Sequence, residues 1–233
     1  MARPVSLATA LLAAALLLPG QFSVAQDAPT YRAGLKSFTI PAPSPNLIEA
    51  GADYRVLLEP FAPTANRLIA AFVEPSDLES IRSGGTAPLN LYALVEIPRR
   101  AEFANVTSDQ YKEVASSIAT QFGTTFDASL KDQQDEINRR LKALGSTAME
   151  VTLDKPVQLG TFFSKHDACS YGMIMALSSG GKVRKMVMGM IVLRLQSRVL
   201  FVYTYSAYKD ETSIQWIRTT DERWADAILQ ANQ

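Results

Sequence analysis

Val183-Arg-Lys-Met-Val-Met-Gly-Met-Ile-Val-Leu-Arg-Leu195 reads as a strand that is apolar on both sides. A side-chain period of two puts Met186, Met188, Met190 and Val192 on one face, and Val187, Ile191 and Leu193 on the other. An antiparallel strand with one wet face alternates apolar with polar residues. This one does not, so something covers both of its faces. Ser178-Ser-Gly-Gly181 and Gln196-Ser-Arg198 supply turns on either side. Tyr171 to Leu177 and Val199 to Tyr208, beyond those turns, carry the same two-faced pattern, so the three runs form an antiparallel meander. Val151 to Leu153 and Val157 to Phe163 are further strand candidates.

Helices supply the cover. Thr107 and Gln110 stand at capping-box spacing, and Tyr111, Val114, Ala115, Ile118 and Phe122 form one apolar stripe behind them. After Gly123, where a break is open, the stripe thins to Leu130, Ile137, Leu141 and Leu144, with Gly145 as a stop. Asp135–Arg139 and Glu136–Arg140 are acid-before-base pairs, each worth about 0.2–0.5 kcal/mol. A closing helix carries Ile214, Ile217, Trp224 and Ile228. Capping spacings at Thr212/Gln215 and Thr219/Glu222 leave open whether it is one helix or two.

Upstream, Arg67 to Glu74 is apolar on both faces, and Leu89 to Ile97 alternates more cleanly until Pro98 ends it. Ser83-Gly-Gly-Thr86 between them is a turn. Leu35 to Ile40 runs into Pro41-Ala-Pro43-Ser-Pro45, which cannot donate to a sheet ladder, and Tyr54 to Glu59 is closed by Pro60 and Pro63. The expected fold is α+β: an antiparallel sheet covered by helices, an α/β/α sandwich in one domain over residues 35–233. Residues 26–34 are polar and read as a mobile start.

This order of elements resembles the PsbP-like fold: an extended Phe38-Thr-Ile-Pro-Ala-Pro43 segment, a strand pair, a long helix, a hairpin meander and a closing helix around Trp224. It also resembles exported bacterial proteins of uncharacterised function. Proteins of the PsbP-like fold are largely accessory, protein-binding subunits, so the resemblance implies a non-catalytic role and a protein partner. It transfers no site residue.

The first 25 residues give an address. Arg3 supplies a positive start, Leu7 to Leu18 is apolar, Pro19-Gly20 breaks the run, and Ser23-Val24-Ala25 offers a cleavage site before Gln26. A run of twelve residues falls short of the roughly 18 of a membrane span. Cleavage takes the chain from 233 residues to 208 and removes one basic side chain, leaving 22 basic against 23 acidic. That balance offers no electrostatic case for nucleic acid or for an anionic membrane. Cys169 is the sole cysteine, which excludes an internal disulfide, and Gln26 is not a lipoprotein cysteine, so no stable membrane anchor is expected. The reading is a periplasmic or secreted bacterial protein. Asn105-Val-Thr107 is a glycosylation sequon with meaning only in a eukaryotic secretory pathway.

The chemistry-bearing residues are few. Met173, Met175, Met186, Met188 and Met190 are five of the seven methionines, with His166 and Cys169 just upstream. Thioether, thiolate and imidazole together select Cu(I), whereas flexible methionines beneath a helix are also ordinary core filling. Register decides which of them meet. A four-residue loop over 178–181 sets Met173 opposite Met186 and Cys169 opposite Met190; a Gly180-Gly181 turn sets Met173 opposite Met188 and Met175 opposite Met186. His166-Asp-Ala-Cys169 places a base, an acid and a thiol within four residues, with no surrounding nucleophile signature. There is no Gly-x-Ser-x-Gly, and any serine triad would have to recruit His166, the only histidine. From Ala168 to Lys209 six basic residues (Lys182, Arg184, Lys185, Arg194, Arg198, Lys209) face no acid, and most sit at turns. They read as solvated loop tips, or as a landing site for an acidic partner. No residue is singled out as catalytic, cofactor-binding or metal-ligating, and no cofactor is expected. The expected role is an accessory or interaction module of the bacterial envelope, with a copper-binding methionine face as the alternative.

Overall fold

A computed structural model describes residues 29–84, 89–143, 150–179 and 182–233. The export segment over 1–25, Gly85-Thr86, Leu144, Gly145 and Gly180-Gly181 lie outside the described residues. Within them the elements run β1 (Thr30–Ala33), β2 (Lys36–Thr39), β3 (Ile48–Glu49), α1 (Ala52–Leu58), β4 (Asn66–Val73), α2 (Pro75–Arg82) and β5 (Leu91–Pro98). There follow α3 (Ser108–Ala143), β6 (Val151–Leu153), β7 (Val157–Ser164), β8 (Ala168–Ser179), β9 (Lys182–Leu195), β10 (Arg198–Ala207) and α4 (Glu211–Gln230). One eight-stranded sheet has the order β3-β4-β5-β10-β9-β8-β6, with β7 also on β8, and all its pairs are antiparallel. The α+β architecture expected from the two-faced strands is present: helices cover an antiparallel sheet on both sides.

Pairing between β8 and β9 runs to Ser179 opposite Lys182, so Met173 faces Met188 and Met175 faces Met186. This is the register of the two-residue turn. Between β9 and β10, Leu195 pairs with Arg198 across Gln196 and Ser197, both in the left-handed region at φ 47° and 63°. That backbone matches the twist of the flanking strands.

On one face, α4 buries Ile214, Ile217, Trp224, Ala225 and Ile228 against the meander. It is a single helix, capped by Asp210, whose carboxylate accepts from the Thr212 amide at 2.9 Å; the capping spacing at Thr219 starts nothing. The Trp224 indole donates to the Pro41 carbonyl at 2.7 Å and meets the Phe72 ring edge-on at 5.7 Å. The proline segment that cannot join a ladder thus serves as an acceptor. Beside it, the Asn232 side-chain amide holds both backbone groups of Thr39, at 2.8 and 2.7 Å. Thr30–Ala33, within the stretch expected to be mobile, forms a strand against β2 with Tyr31 and Ala33 buried.

The other face lies under α3, which is 36 residues long, or about 54 Å, and unbroken at Gly123. Its capping box forms: the Thr107 amide donates to Gln110 at 2.9 Å, and the Gln110 amide to the Thr107 hydroxyl at 3.3 Å. Tyr111 is fully buried, while Ala115 and Ile118 are partly buried against the methionines. Val114 is turned to solvent instead of inward, and the Phe122 side chain lies outside the described residues. The far half of the helix is polar for a reason. Asn138 both donates to and accepts from the Val151 backbone at 2.8 Å, and Gln134 accepts from the Leu153 amide at 3.0 Å. Side-chain amides there finish a short edge strand. Of the two anticipated ion pairs, Glu136–Arg140 forms at 2.6 Å, whereas Asp135 pairs with Lys131 and Arg139 with Glu136.

Sequence left α1 and α2 unread. The Tyr54 to Glu59 stretch closed by prolines is largely helical, and α2 opens on Pro75 at its first turn, the position where a missing amide costs nothing.

A buried carboxylate sits between α4 and the meander. Asp221 is fully buried and accepts from the Ser170 and Thr204 hydroxyls on strands either side of β9. Gly189 lies beneath it; a Cβ there would stand 2.1 Å from the carboxylate and 2.7 Å from Ile217. Burial pushes the Asp221 carboxyl up to about 7 against the pull of its two hydroxyl bonds.

Gly189→Ala is therefore expected to destabilise the fold by about 1–3 kcal/mol in urea unfolding, as overpacking of a tight core does. The folded chain holds a proton on Asp221 that the unfolded chain releases above its ordinary value of 3.8. Stability should accordingly fall as pH rises from about 4 to 7. Asp221→Asn, whose amide stands in for the protonated carboxyl with one acceptor oxygen and a donor, should lessen that slope in thermal unfolding measured across the range.

Candidate functional site

The methionine face is a packed surface. Met173, Met186, Met188 and Met190 are buried, and Met175 is partly so. Met173, Met175, Met188 and Met190 lie among Tyr111, Tyr171, Phe201, Tyr203 and Tyr205, so these thioethers have aromatic neighbours, the contact that polarizable sulfur favours. Cys169 pairs opposite Val192 and is buried. The Tyr111 hydroxyl lies 3.6 Å from its sulfur and donates a shorter bond, 3.0 Å, to the Val192 carbonyl. Among the described residues, no three of histidine, cysteine, aspartate and glutamate gather where they could hold a metal.

His166 has other partners than Cys169, although both residues touch a groove of about 370 Å³ beside the start of α3. Lys165 pairs with Ala168 through a 2.7 Å backbone bond, leaving His166 and Asp167 as the two residues of the turn from β7 to β8. The imidazole lies there 69% exposed, with Nδ1 2.8 Å from Asp167 and Nε2 3.2 Å from the Ser108 hydroxyl. Arg194 holds the other oxygen of Asp167 at 2.9 Å. Burial works to raise the Asp167 carboxyl, but the bonds from His166 and Arg194 outweigh it and hold the group below the ordinary value. Ser108 was invisible in the sequence because 58 residues separate it from His166 and no motif surrounds it.

A second unread feature is Glu96. It belongs to the face of β5 that looked polar, yet it is buried and accepts from Asn66 at 2.7 Å. Burial raises its carboxyl to about 7, with the Asn66 bond pulling the other way. On the same face Tyr92 stacks on Tyr205 at 4.4 Å and Tyr205 on Tyr203 at 6.3 Å. Burial raises all three phenols well above their ordinary value. A glutamate alone among Val95 and Ile97 was the available signal. Asn66 also lines a cleft of about 330 Å³ with Glu59, Arg99 and Arg140. Both arginines there are engaged: Arg99 with the Asn66 carbonyl, and Arg140 with the Glu59 and Ala62 carbonyls.

The basic residues of the meander divide. Arg194 donates to the Val106 carbonyl at 2.9 Å, and buried Arg198 donates to Ala104 and to Asn105 of the sequon at 2.7 and 2.6 Å. Arg184 reaches Asn90 at 2.9 Å. These arginines bind loops to the sheet, and the solvated-tip reading fits only exposed Lys182, Lys185 and Lys209.

Apolar surface is exposed at one end of the sheet. Leu35 is 79% and Phe103 68% exposed, and the β1–β2 turn rests on the loop that carries Phe103. Gly34, at φ 58°, lies so close that a Cβ would stand 2.6 Å from the Glu102 carbonyl. Its amide donates to the Glu102 side chain at 3.0 Å, and Arg67 ties that carboxylate to the Arg32 carbonyl.

No family model matches the chain, and no curated protein does. Among solved structures, the chain is similar to the Ran-binding protein Mog1p of Saccharomyces cerevisiae, at 12% identity and a TM-score of 0.33. The match covers 88% of this chain and 93% of that one. A point mutant of Mog1 matches over the same shares at 13% identity and a TM-score of 0.32. Neither is named as a PsbP-like protein. The PsbP-like resemblance, which rested on element order alone, is therefore withdrawn.

If the methionines are packing, Met188→Leu with Met190→Leu preserves volume and should shift stability by less than about 1.5 kcal/mol in chemical denaturation. A larger loss on chelation of copper from the wild-type chain would point to a metal instead.

Proposed function

We propose that this chain is an exported protein-interaction module of the bacterial envelope, and that Leu35 and Phe103 are its docking point. The carrying observation is two large apolar side chains held in solvent by a rigid support. A mobile loop could hide such residues; here the Gly34–Glu102–Arg67 network prevents collapse. Exposed apolar patches on otherwise ordinary surfaces mark contact sites. Around the pair, Arg32, Lys36, Arg99 and Arg100 are exposed, so the fitting partner offers an apolar hollow with an acidic rim. The export address is the Arg3 to Ala25 pattern, and among the described residues no helix is long and apolar enough to cross a membrane.

Expression in a bacterial host should yield a periplasmic chain whose first residue is Gln26; an uncleaved cytoplasmic chain would overturn the address. Leu35→Ser with Phe103→Ser should leave stability within about 0.5 kcal/mol, because neither side chain is buried. The same pair should abolish stoichiometric co-purification of a partner from envelope extracts. A partner retained equally by the variant rejects the docking point.

A further inference from the structure

We propose that Ser108, His166 and Asp167 form an acyl-transfer centre that hydrolyses small carboxylic esters, a site separate from the Leu35–Phe103 docking point. Serine hydrolysis is recognised by the geometry and roles of three side chains and not by their order in the chain. Asp167, as a carboxylate, can only accept, so its 2.8 Å contact assigns the imidazole proton to Nδ1. Nε2 is then left with its lone pair toward Ser108, 3.2 Å away, the arrangement of an activated nucleophile.

The support is built, not incidental. His166 and Asp167 are the two residues of a closed hairpin turn, which projects both side chains from one corner. Arg194 fixes the free oxygen of Asp167 at 2.9 Å and, through its Nε, the carbonyl of Val106 at 2.9 Å. One guanidinium thus holds the orienting acid and the segment leading to the nucleophile. Ser108 opens α3, and the Thr107 hydroxyl satisfies the Gln110 amide. The amides of Ser108 and Asp109 have no capping partner among the described residues, and they supply donors for a developing oxyanion. The adjacent groove, whose mixed lining includes Tyr111, Lys112, Ala115, Ser116, Tyr171 and His166 itself, has about 370 Å³ for a short acyl chain.

The reaction closes without a further reagent. Ser108 Oγ bonds to the ester carbonyl carbon as its proton passes to Nε2, and the carbon–alkoxide bond breaks as Nε2 returns the proton to the departing alcohol. Water then adds to the acyl-serine, losing its proton to Nε2, and Ser108 leaves reprotonated with release of the carboxylic acid. His166 is 69% exposed, so the centre works in contact with water and turns over slowly.

The test uses the mature chain, p-nitrophenyl butyrate as substrate, and a fluorophosphonate probe with peptide mapping. Wild type should hydrolyse the ester about 100-fold faster than His166→Gln, the scale of a lost general base, and at least as much faster than Ser108→Ala, which lacks the nucleophile. The probe should add one phosphonyl group, on Ser108. Both side chains lie outside the core, and unchanged thermal unfolding of the variants excludes misfolding as the cause. Asp167 is a positioning residue, and Asp167→Asn should lower kcat while leaving KM unchanged. A wild-type rate no higher than that of Ser108→Ala, or phosphonylation at any other residue, overturns the proposal.

Discussion

Water has to be kept from both sides of the β8–β9–β10 meander, and the rest of the molecule is arranged around that requirement. Each of these strands is apolar on its two faces, and burying such surface is worth about 25 cal/mol per Å². A single covering layer would leave half of that surface wet. The long α3 therefore crosses one side and α4 the other, with the amino-terminal segment filling what α4 leaves open around Trp224 and Phe38. Two buried carboxylates enter these layers with partners. Asp221 has two hydroxyls and a glycine hollow, and Glu96 has Asn66.

Much of this was legible from residue patterns. Two-faced strands require two covers, Thr107 and Gln110 announce a helix start, and the meander has turn residues where it needs them. Features that depend on distant residues were not legible. The methionine register turned on whether two residues or four form the loop, and the side-chain period made both allowed. Asp210 takes the cap of α4 because its carboxylate reaches the Thr212 amide; Thr212 had the better spacing with Gln215 but lies inside the helix. Arg198 looked like a loop tip because it follows a turn, yet its guanidinium is buried against carbonyls about 93 residues earlier in sequence.

The chemistry-bearing residues show the same division. His166, Asp167 and Cys169 drew notice as neighbours in sequence, but strand alternation and a tight turn send them to different places. Cys169 goes inward beneath Tyr111, and the other two project from the hairpin corner. What completes the corner is Ser108 from the start of α3, a residue type too common to stand out. The fold pairs the histidine with a serine, and the cysteine with a tyrosine.

The clasp of Asn232 on Thr39 closes a span of 193 residues with a single side-chain amide. A contact across so long a loop carries a loop-closure entropy that one amide does not offset alone. It therefore forms only once the sheet and α4 have already brought β2 and Asn232 together, and it registers the assembled whole and no local segment of it.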